Sequence, residues 1–593
     1  MEKKTLALGL IAIIAVGFGI TGVVLFFIEE PEEGEGALPT TLIFGTMYIV
    51  VDLDPQGSWD SASMDVIDQV CEGLLAYDFF DPNLEIVPKL ATGMGTFNPA
   101  GTEYTILLRD DVTFHDGTHF NATAVKFTWD RMAWALNTTG TNMIDKTIVE
   151  ELYVFPEDQV PIVNDTIINS EYSVTFVLNR PYIAFEALLC FEASYILSPT
   201  STPADRYLET ATDDLVGTGP YVYDSTEAAV EVLLHAYDNY YGEKAKIQNL
   251  VFAEITDANA RNIALLAGDV NYVDDPMWEY WPIFEYESNI VLNVSAYGTT
   301  IQYLGMNNNL INLTMRKAIS QAIDYDYLID SLTLGHARRL KSPIPEGIAM
   351  ADWTYNPLTY NVTAARLLMQ NMSFGFTGGV PWNATYDPDA IDPATKKNYN
   401  LDHPKWRAAS FKTYKYTYNI GNSFREDMLI YLFDALKDIG IKVINDGMTW
   451  GDFVHRLYEM ELLDRDMLDL YFIGWIPDYN DPSNFINPLF TNKTVGSNGA
   501  QYDGFLAAKE AGRDQFALMD NVQLLMEAAL AETDPATRQI LYSRIQYLLV
   551  EEDIPWAFCY NPQPADAYDI RLHGIAPYAD HMGRNHFYSM YFA

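Results

Sequence analysis

From Thr41 onward, short apolar runs of strand length alternate with segments of helical periodicity, and this alternation constrains the fold more than any other feature. Thr41 to Val51 reads as a buried strand ended by Asp54-Pro55. A helix follows over Ser63 to Leu75, with Met64, Ile67, Val70 and Leu74 on one face. Tyr104–Arg109 and Tyr172–Leu178 read as strands flanking a helix over Thr123–Trp134, and Asp116-Gly117 as the turn of a hairpin. Tyr221–Tyr223 and Val230–His235 form a paired ribbon, followed by a strand over Leu250–Ile255 and a helix that Asp257 caps and Gly268 stops. Further helices are expected over Met315–Leu332, Asn361–Met372, Arg425–Ile439, Trp450–Glu461 and most of Asp520–Val550. Further strands are expected over Lys412–Ile420, Lys442–Ile444 and Leu468–Gly474. The pattern defines a mixed α/β protein with at least two lobes. Its 593 residues leave room for three or four units. Residues 373–410, punctuated by glycine and proline, read as a loop-like insertion.

The N-terminus places the chain in the cell. Lys3 and Lys4 precede an uncharged stretch from Thr5 to Ile28, long enough as a helix to cross a bilayer, and the acidic stretch EEPEEGEG follows. Lysines on the short side put residues 29–593 outside, with residues 1–4 cytoplasmic, 5–28 an anchor and 29–39 a linker. A cleaved signal peptide is the competing reading, but no A-x-A-like site follows the apolar stretch. N-x-S/T triplets at Asn121, Asn137, Asn164, Asn293, Asn312, Asn361, Asn371, Asn383 and Asn492 read as surface glycosylation acceptors in a secreted chain. With 81 acidic against 36 basic residues, the net charge of -45 excludes a nucleic-acid partner. Cys71, Cys190 and Cys559 sit among apolar neighbours and read as buried thiols, although one disulfide with one leftover cysteine remains an alternative.

No motif supports catalysis. The chain lacks a phosphate-binding G-x-x-x-x-G-K-S/T loop, an H-E-x-x-H helix and a G-x-S-x-G elbow. Nine histidines without ligand spacing give no metal site, and no cofactor is implied. Gly217-Thr218-Gly219-Pro220 is glycine-rich, but the proline stands where a phosphate-binding helix would begin, so it reads as a tight crossing between lobes. His115-Asp116 is the corner of a hairpin rather than a catalytic pair. What remains is a group of aromatic and acidic residues: Trp450, and the segment Gly474, Trp475, Ile476, Pro477, Asp478 and Tyr479 delivered by a strand. Gly474 to Ile476 offers a strand edge to an extended backbone, Trp450, Trp475 and Tyr479 offer flat faces, and Asp478 offers a carboxylate to an ammonium. The same segment also reads simply as a turn after a core strand.

Six blocks in order carry a resemblance. They are Leu53-Asp54-Pro55 with Glu72-Gly73-Leu74-Leu75, then Leu107 to Met132 (LLRDDVTFHDGTHFNATAVKFTWDRM), Val216 to Tyr221 (VGTGPY), Tyr237 to Asp269, Met315 to Leu328 (MRKAISQAIDYDYL), and Ile439 to Phe490 with GWIPDYNDPSNF. Together they resemble the family 5 extracellular solute-binding proteins, which include dipeptide and oligopeptide receptors of ABC importers. The resemblance implies a periplasmic-binding-protein-like α/β fold of type II, with three lobes hinged around a cleft. Lobe I would comprise residues 40–75, 190–294 and 551–593, lobe II residues 76–189, and lobe III residues 295–550. It implies capture of peptides by a monomeric, non-enzymatic receptor that delivers them to ABC permease subunits. An oligosaccharide or other small solute, or a membrane-tethered sensor, is the alternative. It also implies that Asp478 holds a ligand ammonium, that Gly474, Trp475 and Ile476 bond a ligand backbone, and that Trp450 lines the pocket. One departure stands out: where oligopeptide members place a carboxylate-binding arginine two residues before the GW glycine, this chain has Phe472.

Overall fold

The computed structural model describes residues 38–136, 149, 152–372, 406–407, 410–459, 468–493 and 497–593. The expected cytoplasmic tip, anchor and most of the linker lie outside the described residues, as does most of the expected insertion at 373–410. Among the described residues no helix is long and apolar enough to cross a membrane.

Two large sheets organise the body. The first has seven strands in the order Tyr221–Glu227, Glu231–Ala236, Asn249–Glu254, Thr41–Thr46, Tyr272–Asp274, Ala565–Asp569 and Ile290–Val294. Its central strand, Thr41–Thr46, pairs in parallel with Asn249–Glu254 and Tyr272–Asp274. Leu42 and Phe44 of that strand are fully buried, as expected for a parallel centre covered on both faces. The second sheet has six strands in the order Ala337–Arg339, Trp556–Pro562, Ile301–Met306, Leu470–Trp475, Lys412–Asn419 and Ile441–Met448. A smaller four-stranded sheet, Thr96–Phe97, Glu103–Leu107, Ser173–Leu178 and Val163–Ser170, packs with the helix Ala122–Ala135 around a separate core.

The chain passes between the two large sheets twice, from Val294 to Ile301 and from Pro562 to Ala565. The two crossings lie side by side: the Ser295 N–H donates to the Pro564 carbonyl, and the Asn561 amide donates to the carbonyls of Gly298 and Thr300. Two short, adjacent connections make a hinge. Strand Trp556–Pro562 belongs to the second sheet, so the return to the first falls at Gln563-Pro564 rather than at residue 551.

Local chemistry explains most elements. Asp257 caps the helix Ala258–Ala267 by accepting from the Ala260 N–H, and Gly268 ends it in the left-handed conformation. Thr113 and His119 bridge across the turn at Asp116-Gly117. The His115 ring lies 3.0 Å from the Gly219 carbonyl, so this histidine ties the hairpin to the glycine-rich crossing. That crossing lies against the end of helix Ser61–Val70: a Cβ on Gly217 would fall 2.0 Å from the Val70 carbonyl oxygen. Asn121, Asn312 and Asn361 spend their side-chain oxygens capping helices. The Asn492 amide donates to Asp503, while Asn164 is exposed. All three cysteines are buried and free. The first strand is shorter than its apolar run: it stops at Thr46, and Met47 to Leu53 leaves the sheet toward the second one.

Candidate ligand-binding cleft

The departing segment carries Tyr48 across to the other sheet. Its ring stacks on Trp450 at 5.6 Å, and its hydroxyl bonds the Asn419 amide. A second bridge starts at Trp59, whose indole N–H donates to Asp478 Oδ1 at 2.8 Å and whose ring stands edge-on to Trp475 at 5.4 Å. A third joins the Tyr77 hydroxyl to the Asn480 N–H. These contacts connect elements more than 350 residues apart in sequence and hold the cleft closed.

Asp478 is 4% exposed. Asn484 donates to its Oδ2 at 2.6 Å, while the Asn484 oxygen accepts the Asp478 N–H and the Trp475 indole N–H. Both side-chain donors to the carboxylate are therefore neutral. Arg584 lies nearby but is bonded to Asp68 and Glu192. Among the described residues Asp478 forms no ion pair. Burial pushes this carboxyl up to about 6, against the pull of Asn484, Trp59 and Arg584.

Arg425 is the counterpart. It is 7% exposed, donates to the neutral Asn419 side chain, and among the described residues makes no ion pair. It faces a cavity of about 290 Å³ whose other walls include Tyr48, Trp450, Gln302, Ile476 and the carboxylates of Asp65, Asp274, Asp275 and Asp566, of which Asp275 feels the Arg425 charge. Burial pushes Asp274 up to about 6 and Asp566 up to about 7, with the charges of Asp275 and Asp580 respectively adding to the shift. A second cavity of about 230 Å³ shares Arg584, Asn585 and His586 with it, and Asp478 faces into it.

The structure distributes the sequence-derived residues unevenly. Trp450 and Ile476 line the larger cavity and Asp478 the smaller. Gly474 lies opposite Gln302 in the sheet, and any Cβ there would fall 2.4 Å from the Gln302 amide nitrogen, so this glycine gives room to a cavity side chain. The strand edge at Gly474 to Trp475 is open on one side only: it pairs with Ile301 and Gln302, while pairing to Lys412–Asn419 stops at Tyr471. Trp475 is partly buried beside Trp59. Tyr479 is 1% exposed, bonded to Tyr182 and Ser483 within the core of the smaller sheet, and lines neither cavity. Phe472 is fully buried against Phe424 and Tyr560.

Sequence reasoning missed Arg425, Trp59, Tyr48 and Gln302. A signal existed for Arg425. It sits in the first turn of helix Ser423–Ala435, where its backbone N–H meets the cap Asn422. A cation there opposes the helix dipole, and a residue that breaks a local rule is a candidate for function. Trp59, Tyr48 and Gln302 carry no comparable mark.

Two sheets joined by a double hinge, closed over cavities with a buried anion and a buried cation, define a receptor that encloses a solute. The chain belongs to family 5 of the bacterial extracellular solute-binding proteins, whose sequence model (Bacterial extracellular solute-binding proteins, family 5 Middle) matches residues 85–497. It is 24% identical over 530 residues to the glutathione-binding protein GsiB of Pectobacterium atrosepticum, covering 88% of this chain and 89% of that one. Its fold matches that of the periplasmic binding protein DppA from Helicobacter pylori, solved with the peptide STSA, with a TM-score of 0.76 at 21% identity, over 94% of this chain and 98% of that one. The dipeptide-binding protein of a Pseudoalteromonas species, solved with Met-Leu, gives a TM-score of 0.75 at 19% identity, over 93% and 100% of the two chains. The expected type II binding-protein fold is thereby confirmed.

Proposed function

We propose that this protein captures short peptides for an ABC importer, with Asp478 meeting the ligand ammonium and Arg425 its carboxylate. The carrying observation is a buried anion and a buried cation, neither ion-paired among the described residues. An unpaired buried charge is costly, and a zwitterionic ligand relieves both costs at once, whereas a neutral sugar leaves both standing. A relative described as glutathione-binding and a structural neighbour solved with the dipeptide Met-Leu support the same class of ligand. In this reading Arg425 takes the role of the arginine absent at position 472, Trp450 and Tyr48 supply flat walls, and Gly474 to Ile476 present one open strand edge. Tyr479 acts as packing behind Asp478.

The receptor works as a monomer of three lobes: the seven-stranded sheet, the small sheet and the six-stranded sheet. Thr5 to Ile28 tethers it to the membrane, and binding without chemistry is its whole task. The test is calorimetric titration with a dipeptide, its N-acetylated form, its C-terminal amide and an oligosaccharide. The free dipeptide should bind, and each blocked form should lose at least about 30-fold, the effect of leaving one buried charge unpaired. Binding of the oligosaccharide in place of the peptides would overturn the reading, and an unchanged affinity for the amide would remove Arg425 from it.

A further inference from the structure

Arg425 stands at the end of a loop that the opposite side of the cleft touches twice. Strand Lys412–Asn419 stops at Asn419, Ile420 and Gly421 turn the chain, and Asn422 caps the helix that carries Arg425. Gly421 is left-handed at φ +86°, and a Cβ there would fall 2.8 Å from the Thr256 carbonyl oxygen, which follows a strand of the seven-stranded sheet. Tyr48, from the segment that leaves the same sheet, makes the second contact. Its ring lies nearly parallel to that of Trp450, at 16°. Its hydroxyl is used in both directions: the oxygen accepts from the Asn419 amide, and the O–H donates to the Ile420 carbonyl at 3.5 Å. Burial pushes this hydroxyl up to about 12, against the pull of the Arg425 charge and the Asn419 amide, so it keeps its proton near pH 7.

Asn419 joins Tyr48 to Arg425. It is 1% exposed, and its side chain serves both residues: Nδ2 donates to the Tyr48 hydroxyl, and Oδ1 accepts from Arg425 Nη1. A guanidinium only donates, so Asn419 holds Arg425 only with its oxygen turned that way. An amide turned over would set two donors against each other at a buried site. What favours the correct orientation is an acceptor for Nδ2. Among the described residues both acceptors of that nitrogen, the Tyr48 oxygen and Met47 Sδ at 4.0 Å, come from across the cleft. They reach Asn419 when the cleft is closed and leave it when the sheets separate.

We propose that Tyr48 is a positioning residue for the ligand carboxylate: on closure its hydroxyl fixes the Asn419 amide, and that amide holds the Arg425 guanidinium ready for the ligand. This inference rests on the peptide reading above. The test is calorimetric titration of Ala-Leu and of its C-terminal amide on the wild-type protein, Tyr48→Phe, Asn419→Ala and the double variant. Tyr48→Phe keeps a ring against Trp450 and removes the hydroxyl alone. It should bind the amide within about twofold of wild type, yet shrink the affinity ratio of Ala-Leu to its amide at least about fivefold, the effect of losing one hydrogen bond. In the Asn419→Ala background the same change should leave the ratio where it is, because the hydroxyl then has no amide to hold. Packing or closure alone would weaken both ligands equally. An unchanged ratio in Tyr48→Phe, or the same shrinkage with and without Asn419, overturns the positioning role while leaving the peptide reading intact. A ratio of one in the wild-type protein overturns the assignment of the carboxylate to Arg425, and this inference with it.

Discussion

Replacing Asp478 by asparagine keeps the shape of the side chain and removes its charge, and the structure gives the two consequences opposite signs. Without ligand, Asp478 is a buried carboxylate with only neutral hydrogen-bond donors. Its folded value of about 6 stands above the ordinary 3.8, so the folded state binds this proton more tightly than the unfolded chain does. The corresponding stability is present at acid pH and is lost as pH rises from about 4 through 6. At pH 7.5 the ionised group costs about 3 kcal/mol. The asparagine avoids that cost but offers only one acceptor to Trp59 and Asn484, which returns about 1–3 kcal/mol. The unliganded variant should therefore melt at or slightly above the wild-type temperature at pH 7.5. With peptide the sign reverses. Losing one partner of a buried charge pair costs about 2–5 kcal/mol, so affinity should fall by about 30-fold to a few thousand-fold. Lowering the pH to 5 leaves about a tenth of the wild-type carboxylate ionised, so wild-type affinity should drop about tenfold more than that of the variant, in which Asp274 and Asp566 still titrate over this range. Asp68, Glu192 and Arg584 also face this region, and the difference between the wild-type and variant profiles isolates Asp478 from them and from Asp274 and Asp566. Thermal shift and calorimetry at the two pH values provide the readout. An Asp478→Asn protein that binds peptide as tightly as wild type would refute the assignment of the ammonium to this carboxylate.

Trp59→Phe keeps a ring against Trp475 but deletes the N–H that reaches Asp478, so the carboxyl should rise above 6 and the pH midpoint of peptide binding should move upward with it. An unchanged midpoint would mean that the indole contributes packing alone. Phe472→Arg restores the arginine of oligopeptide-binding members at a fully buried position beside Phe424 and Tyr560. It should lower stability by several kcal/mol without improving peptide affinity, checked by thermal melting and titration. Gly217→Ala pushes a methyl against the Val70 carbonyl and should lower the melting temperature by a few degrees, with a wild-type melt as the contrary result.

Sequence and structure agree where chemistry is local. Asp257 and Gly268 bound their helix as written, because a cap and a left-handed terminus are satisfied within a few residues. The GTGPY crossing and the hairpin at Asp116-Gly117 were legible for the same reason. Divergence begins where a residue's partner is remote. The apolar run after Thr46 reads as more strand, yet Tyr48 leaves the sheet because Trp450 and Asn419 await its ring and hydroxyl across the cleft. Asparagines in N-x-S/T triplets read as glycan acceptors, yet at 121, 312 and 361 the same side chain is a helix cap, and both roles favour the same short pattern. Tyr479, adjacent to Asp478 and equally suited to a pocket on paper, turns into the core of the smaller sheet.

The sequence by itself determined the α/β class, the order of the elements, the family and the strand that delivers Asp478, since periodicity, caps and ordered motifs are properties of neighbouring residues. Tertiary structure alone decided which charges go unpaired. Asp478 meets Trp59 because the hinge brings the two sheets together, Arg425 among the described residues donates from its side chain to Asn419 alone, and burial removes the water that would otherwise solvate them. A charge left without a partner depends on everything around it, and no segment of the chain encodes that alone.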